Sequence, residues 1–162
     1  MKTFTRHLII ALSLAMPLAG SPALAADAHE HGHAETTALT LDHGRKWATD
    51  DPLRLAMGNL RGVVSEALPA AHAGTFTDAQ YDGLGARTDR ELAYIVENCK
   101  LPPEADAALH VILGEVVASA EVVGGKQAGQ SRAGGVVGLA QALNRYGEYF
   151  DHPGWEDIGI PH

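Results

Sequence analysis

Three histidines alternate with other residues near the N-terminus, in the run His29-Glu30-His31-Gly32-His33. Short histidine-rich tracts in exported proteins are typical of binding sites for Cu(II), Zn(II) or Ni(II), because imidazole nitrogen is a good ligand for all three ions. The alternative interpretation is a solvated arm whose charge changes with pH. We expect the tract to bind metal ions through His29, His31 and His33.

A second candidate ligand set is scattered along the chain and consists of Met57, Cys99, His110 and His152. Thiolate and thioether sulfur favour Cu(I), which also accepts imidazole. These residues predict a copper site made of Met57, Cys99 and His110. His152 could be an additional ligand or could replace one of the three. Three of these residues also have a simpler interpretation: Met57 and Cys99 as buried apolar side chains, and His110 as a histidine at the edge of the core. An intermolecular disulfide or a redox role is a further alternative for Cys99.

No catalytic motif accompanies these residues. The sequence contains no G-x-S-x-G, no HExxH and no glycine-rich phosphate loop, and the absence of CxxCH excludes ordinary covalent c-type haem. The carboxylate pairs Asp50-Asp51 and Glu156-Asp157 are explained by helix capping and by a solvated tail. Cys99 is the only cysteine, so that no intramolecular disulfide can form. We therefore expect a binding protein and not an enzyme.

Four segments with apolar residues at helical spacing must position these side chains. They are predicted at about Asp51 to Ala73, from a Thr77–Gln80 capping box to Cys99, from Pro103 to about Val123, and from about Ser131 to Phe150. Short turns between helices of about 20 residues predict an all-α fold, an up-down-up-down antiparallel four-helix bundle. In that topology Met57, Cys99, His110 and His152 all lie towards the same end.

The residues predicted to face the core recur once per turn of each helix. They are Leu53, Met57, Leu60, Val64, Ala67 and Ala71; Tyr81, Leu84, Thr88, Leu92, Ile95 and Cys99; Leu109, Ile112, Leu113, Val116, Ala120 and Val123; and Val136, Leu139, Ala140, Leu143, Tyr146 and Phe150. The glycines at 134, 135 and 138 predict a place where the fourth helix approaches a neighbour closely.

The first 25 residues have the pattern of a secretory signal peptide. Lys2 and Arg6 precede the apolar run from Leu8 to Ala15, and Ala23-Leu24-Ala25 matches the A-x-A cleavage pattern. The apolar run is shorter than the roughly 20 residues that span a membrane. We therefore expect cleavage, a mature protein in the periplasm and no stable membrane insertion.

The position of cleavage affects the metal chemistry of the new N-terminus. Cleavage after Ala25 leaves His29 as the fourth residue, whereas cleavage after Ala26 leaves Asp27-Ala28-His29. In the second case the free amine, two amide nitrogens and the imidazole can surround Cu(II) or Ni(II) in a square plane.

The remaining chain is divided into a flexible histidine-rich arm at 26–48, the helical bundle at 49–155 and a C-terminal tail at 156–162. Removal of the signal, with its two basic residues, leaves ten basic and twenty acidic residues and a net charge of about −10. An acidic surface argues against nucleic acid as a partner, because phosphate-binding faces need clustered Lys and Arg. The expected partners are a metal ion and a periplasmic metalloprotein.

Three segments resemble a family of periplasmic proteobacterial proteins, some of which carry the label DnrO: LDHGRKW at 41–47, NCKLPPEAD at 98–106 and YGEYFDHPGW at 146–155. The predicted architecture also resembles the bundles of cytochrome b562 and cytochrome c′. Cytochrome b562 holds haem with a Met early in its first helix, a position that Met57 matches, and with a His near the end of its fourth helix. The nearest histidine here, His152, follows the predicted fourth helix.

The resemblance to cytochrome b562 implies an alternative to copper, namely a b-type haem protein that transfers electrons, with Met57 and either His110 or His152 as axial ligands. A further alternative is a bundle without a cofactor that binds a partner through the end carrying Trp47 and Trp155. Copper delivery, storage or sensing is the function that the candidate ligands favour most.

Overall fold

A computed structural model describes residues 38–161 of the protein. The predicted signal peptide, the histidine-rich tract and the last residue lie outside this range. The described part consists of four helices and two short strands: β1 (Trp47–Ala48), α1 (Asp51–His72), α2 (Asp78–Asn98), α3 (Pro103–Val123), α4 (Arg132–Tyr149) and β2 (Phe150–Asp151). The prediction of an all-α protein is confirmed. Within residues 38–161, none of the helices has the length and apolar character needed to cross a membrane.

Local capping chemistry sets the starts of the first two helices. Asp50 precedes α1 and accepts a hydrogen bond from the main-chain N–H of Leu53, and Pro52 occupies the first turn, where its missing N–H costs no hydrogen bond. Thr77 and Gln80 form the predicted capping box at the start of α2, in which each side chain bonds the main-chain N–H of the other residue.

One apolar face of each helix forms the core. The residues predicted to face inward on α1, α3 and α4 are all buried, and on α2 only Leu92 and Cys99 are partly exposed. α1 packs against α2 and α4, and α3 packs against the same two helices. Because a fully buried Leu or Ile side chain contributes about 1.5–3 kcal/mol, this core is the main source of stability.

Gly135 allows α4 to approach α3 closely. A Cβ atom at this position would lie only 2.6 Å from the main-chain nitrogen of Val123 and 2.9 Å from the carbonyl oxygen of Ser119. Any larger residue would therefore push the two helices apart. The glycines of the fourth helix predicted that this helix approaches a neighbour closely, and this prediction is confirmed at Gly135.

β1 and β2 join the two ends of the described chain. They pair in parallel, with Trp47 opposite Phe150 and Ala48 opposite Asp151. The hydroxyl of Thr49 adds a hydrogen bond of 2.7 Å to the carbonyl oxygen of Asp151. β1 lies inside the segment that the sequence assigned to the arm, because a strand of two residues is too short to produce a periodic pattern.

The residues that follow β2 also pack on the helices. Asn144 on α4 bonds both main-chain groups of Ile158, since its amide donates to the carbonyl oxygen over 3.0 Å and its own oxygen accepts from the N–H over 2.7 Å. The Ile158 side chain is buried and belongs to the core. The segment that the sequence assigned to a solvated tail is thus held against the bundle as far as Ile158.

Candidate functional site

Asp50 lies where the start of α1 meets the segment after α2. Besides capping α1 through Leu53, its carboxylate accepts a 2.6 Å hydrogen bond from the main-chain N–H of Lys100, and the Cys99 thiol donates to it over 3.6 Å. Burial by itself would raise the pKa of Asp50. The hydrogen bonds from Lys100, Leu53 and Cys99 and the nearby positive charge of Arg54 outweigh burial, so that the pKa lies below its ordinary value.

Cys99 is the residue at which the chain leaves α2. Its main chain is extended, because Pro102 and Pro103 follow closely and exclude a continued helix, and its N–H still bonds Ile95. This conformation turns the half-buried thiol towards Asp50. Burial first, and then the Asp50 carboxylate, raise the pKa of Cys99 to about 11, so the thiol is protonated at neutral pH.

Tyr146, near the end of α4, is fully buried, and its hydroxyl lies 3.1 Å from Nδ1 of His152. Its ring stacks on Phe150, with centroids 5.2 Å apart, and this contact fixes its orientation. Burial raises the pKa of Tyr146 above its ordinary value, while burial and the positive charge of Arg54 lower the pKa of His152. A phenol and a neutral imidazole therefore share this hydrogen bond at neutral pH.

These side chains form one group, which we call the end cluster: Asp50, Arg54, Cys99, Tyr146 and His152. Electrostatic effects connect its members, because Cys99 and Asp50 contribute to the raised pKa of Tyr146, and Arg54 acts on both Tyr146 and His152. Arg54 is itself fixed by a hydrogen bond of 2.9 Å to the hydroxyl of Thr49. The sequence marked Asp50 only as a helix cap and gave no local signal for its contacts with Cys99 and Lys100.

Met57 enters the core from the same end of the molecule. It lies seven residues after Asp50, about 10 Å along the helix axis at 1.5 Å per residue, on the same inward face as Leu53. Its side chain is fully buried. It is the only methionine among the described residues, so any thioether ligand from this part of the chain would come from it.

His110 lies elsewhere, on the exposed surface of α3. Its side chain is 69% exposed, and its Nδ1 lies 2.8 Å from the carbonyl oxygen of Asp106, one helical turn earlier, and 3.5 Å from the Asp106 carboxylate. Of the two candidate histidines in the described chain, His152 belongs to the end cluster and His110 is bonded to its own helix.

A cavity of about 430 Å³ lies beside the end cluster, between α4 and the segment after β2. Lys46, His152, Trp155 and Asp157 are among its lining residues, and Lys46 donates a 2.6 Å hydrogen bond to the carbonyl oxygen of Gly147. The indole of Trp155 lies directly against Gly147, a contact that the missing Cβ of this glycine permits. Its buried N–H has no hydrogen-bond partner within residues 38–161.

Residues 38–161 contain no group of three or more His, Cys, Asp or Glu side chains that could hold a metal ion. The predicted ligands His29, His31 and His33 lie outside the described residues. No protein-family model, curated protein or solved structure matches the chain.

Proposed function

We propose that the protein is a copper-binding protein of the periplasm that serves copper delivery, storage or sensing. The observation that carries this proposal is that Cys99 is bonded to Asp50 and His152 to Tyr146, while the preceding residues Thr49 and Asp151 are joined by a hydrogen bond. With the buried Met57 thioether, these side chains would supply a set of soft and borderline ligands. Such a set favours Cu(I) over the harder divalent ions.

His152 replaces His110 in this proposed site. His110 is mostly exposed and bonded to Asp106, whereas the pKa of His152 is lowered, which keeps its imidazole neutral and able to coordinate a metal. Since the Tyr146 hydroxyl lies at Nδ1, Nε2 of His152 is the proposed ligand atom. Tyr146 would orient the ring, as hydrogen-bond partners of metal-binding histidines commonly do.

The raised pKa of Cys99 has a direct effect on the proposed binding. Copper must displace the thiol proton, because the thiolate is the ligand. With a pKa of about 11, Cys99 binds its proton throughout the neutral range. The apparent affinity for Cu(I) is therefore expected to fall about tenfold for each unit of decrease in pH.

The histidine-rich tract is proposed as a separate site that captures Cu(II) through His29, His31 and His33. We further propose that residues 1–25 are a cleavable signal peptide, cut after Ala25 or Ala26. The support for both proposals is the sequence pattern alone.

For the fold we propose the up-down-up-down antiparallel bundle. The packing of α1 and α3 against the same two helices supports it, as do the short connections at 73–77, 99–102 and 124–131. A hydrogen bond of 3.2 Å from Asn59 to Glu91 is in agreement, because it joins the first half of α1 to the second half of α2.

A bundle without a cofactor that binds a protein partner is the second candidate. It is favoured by the internal hydrogen bonds of the same side chains: Cys99 donates to Asp50, His152 bonds Tyr146, and His110 bonds Asp106. Polar groups whose hydrogen bonds are already made do not need a metal ion to satisfy them.

The two candidates are separated by an anaerobic titration with Cu(I) in competition with a chromophoric chelator, using protein from which residues 29–33 have been deleted. The copper proposal expects one Cu(I) per chain and loss of this site in the Cys99→Ser, Met57→Leu double variant. His110→Ala is the matched control and should bind Cu(I) as the parent protein does. Unchanged binding by the double variant, or no binding by the parent, would exclude the bundle site, and a Soret band in the purified protein would favour haem.

A further inference from the structure

An open groove runs along the outer surface between α1 and α2. It consists of two adjoining cavities of about 360 and 580 Å³, which share the lining residues Val63, Glu66 and Arg87. The floor of the first cavity is partly apolar, with Phe76 and Leu84 among its lining residues. None of the groove's lining residues belongs to the end cluster.

Two glycines give the α1 side of the groove its shape. A Cβ atom added to Gly58 or Gly62 would meet nothing within 4 Å, in contrast to Gly135, which is in tight contact with α3. Glycine within a helix lowers the stability of that helix. Since no neighbour among the described residues requires these two glycines, the space above them is available to a group from outside.

Two large apolar side chains stand at one end of the groove. Leu55 on α1 is 56% exposed and Tyr94 on α2 is 36% exposed. They lie about one helical turn beyond Asn59 and Glu91, whose hydrogen bond connects the two helices across the groove. The groove therefore combines an open backbone surface with exposed apolar area, a combination found at interfaces.

The two arginines of the groove form no ion pair within residues 38–161. Of the seven arginines in residues 38–161, five form ion pairs: Arg45, Arg54, Arg61, Arg132 and Arg145. The remaining two, Arg87 and Arg90, both line the groove and take part in none of these pairs. The carboxylates of Glu66 and Glu91 line the same groove.

We propose that this groove is the interface through which two copies of the chain form a dimer. In a twofold-symmetric pair the same patch meets itself, so that Arg87 and Arg90 of each copy can pair with Glu66 and Glu91 of the other. Self-complementary charge favours a second copy over a purely acidic partner, which would be repelled by Glu66 and Glu91. Gly58 and Gly62 allow the second helix pair to approach closely.

Sedimentation equilibrium of the purified protein tests the proposal. The wild-type protein should form a dimer, and the Arg87→Glu, Arg90→Glu variant should have a dimer dissociation constant at least about 100-fold higher, because like charges then face each other. Dimer formation by the Glu66→Arg, Glu91→Arg variant should be weakened in the same way. An equimolar mixture of the two variants should restore the dimer, since opposite charges face each other again.

Arg45→Glu is the matched control, because Arg45 is an exposed arginine outside the groove, and this variant should remain a dimer. Gly62→Leu provides a second variant that does not depend on charge: leucine favours the helix, so the fold is kept while the groove is filled, and a monomer is expected. A wild-type protein that is monomeric at about 1 mM, a dimer that survives both charge reversals, or a mixture that stays monomeric would each overturn the proposal.

Discussion

The main-chain N–H of Lys100 donates a 2.6 Å hydrogen bond to the carboxylate of Asp50, although the two residues are 50 positions apart. The same carboxylate caps α1 through Leu53. One side chain thus holds the first turn of α1 and the segment that follows α2. It also accepts a hydrogen bond from the thiol of the proposed copper ligand Cys99, so that the stability of the fold and the chemistry of the thiol depend on the same group.

Replacement of Asp50 by alanine should destabilise the protein more than the loss of an ordinary helix cap. The change removes a cap, which contributes about 1 kcal/mol, and a charge-assisted hydrogen bond to Lys100, which contributes about 1.5–3 kcal/mol. We expect a total loss of roughly 2–4 kcal/mol in urea denaturation. Thr77→Ala, which removes only the capping box of α2, is the control and should cost about 1 kcal/mol. Equal losses in the two variants would contradict the dual role of Asp50.

The contribution of Asp50 should disappear in acid. Because its pKa in the folded protein lies below the ordinary value of 3.8, the ionised carboxylate stabilises the fold above that value. This stabilisation is lost as the pH falls through 3.8 towards the lower pKa of the folded state. The difference in unfolding free energy between the wild-type protein and Asp50→Asn should be constant from pH 7 to about 5 and should shrink below about 4. A difference that stays constant down to pH 3 would refute the prediction.

Cys99 should titrate well above a free thiol. Alkylation by iodoacetamide, followed as a function of pH, should have its midpoint near 11 in the folded protein and near 9.0 in the urea-unfolded chain. At pH 8 the folded protein then has about 100-fold less thiolate than the unfolded chain. In Asp50→Asn the midpoint should fall, because the carboxylate that raises the pKa is gone, whereas Asp42→Asn should leave it unchanged. A midpoint near 9 in the folded wild-type protein would contradict the effect of burial and of Asp50.

Alanine should have opposite effects at two helical glycines. At Gly147 the new methyl group would overlap the Trp155 indole and lie 3.2 Å from Asp157 Oδ1, and such overpacking costs about 1–3 kcal/mol. At Gly114, where a Cβ meets nothing within 4 Å, alanine should instead stabilise α3 by about 0.5–1 kcal/mol. Thermal unfolding measures both changes. A melting temperature that rises in both variants would show that the packing of Trp155 does not require the missing Cβ at Gly147.

Features determined by neighbours in the sequence were predictable. The bounds of α3, the capping box of α2 and the inward faces of α1 and α4 agree with the predictions, because helical periodicity, caps and prolines act within a few residues. The close approach at Gly135 was predictable for a related reason. Glycine lowers the stability of a helix, so its presence inside one indicates that the position has a structural requirement.

Features determined by distant residues were not predictable. β1 and the buried Ile158 depend on partners about 100 and 14 positions away, and neither segment has a periodic pattern of its own. The side-chain direction of His110 depends on its bond to Asp106. Helical spacing alone predicted only that this residue lies beside the inward-facing residues of α3. Asp50 was recognised as a cap, but its contact with Lys100 arises only when the ends of α1 and α2 meet.

The pairing of Trp47–Ala48 with Phe150–Asp151 determines when folding can be completed during synthesis. A nascent chain that has emerged only as far as α3 lacks the partner of β1, the Phe150 ring that supports Tyr146, and the Ile158 side chain that completes the core. The native packing of β1 must therefore wait until residues 150–158 have left the ribosome. A chain with this topology is incompletely folded for as long as that segment is still being synthesised.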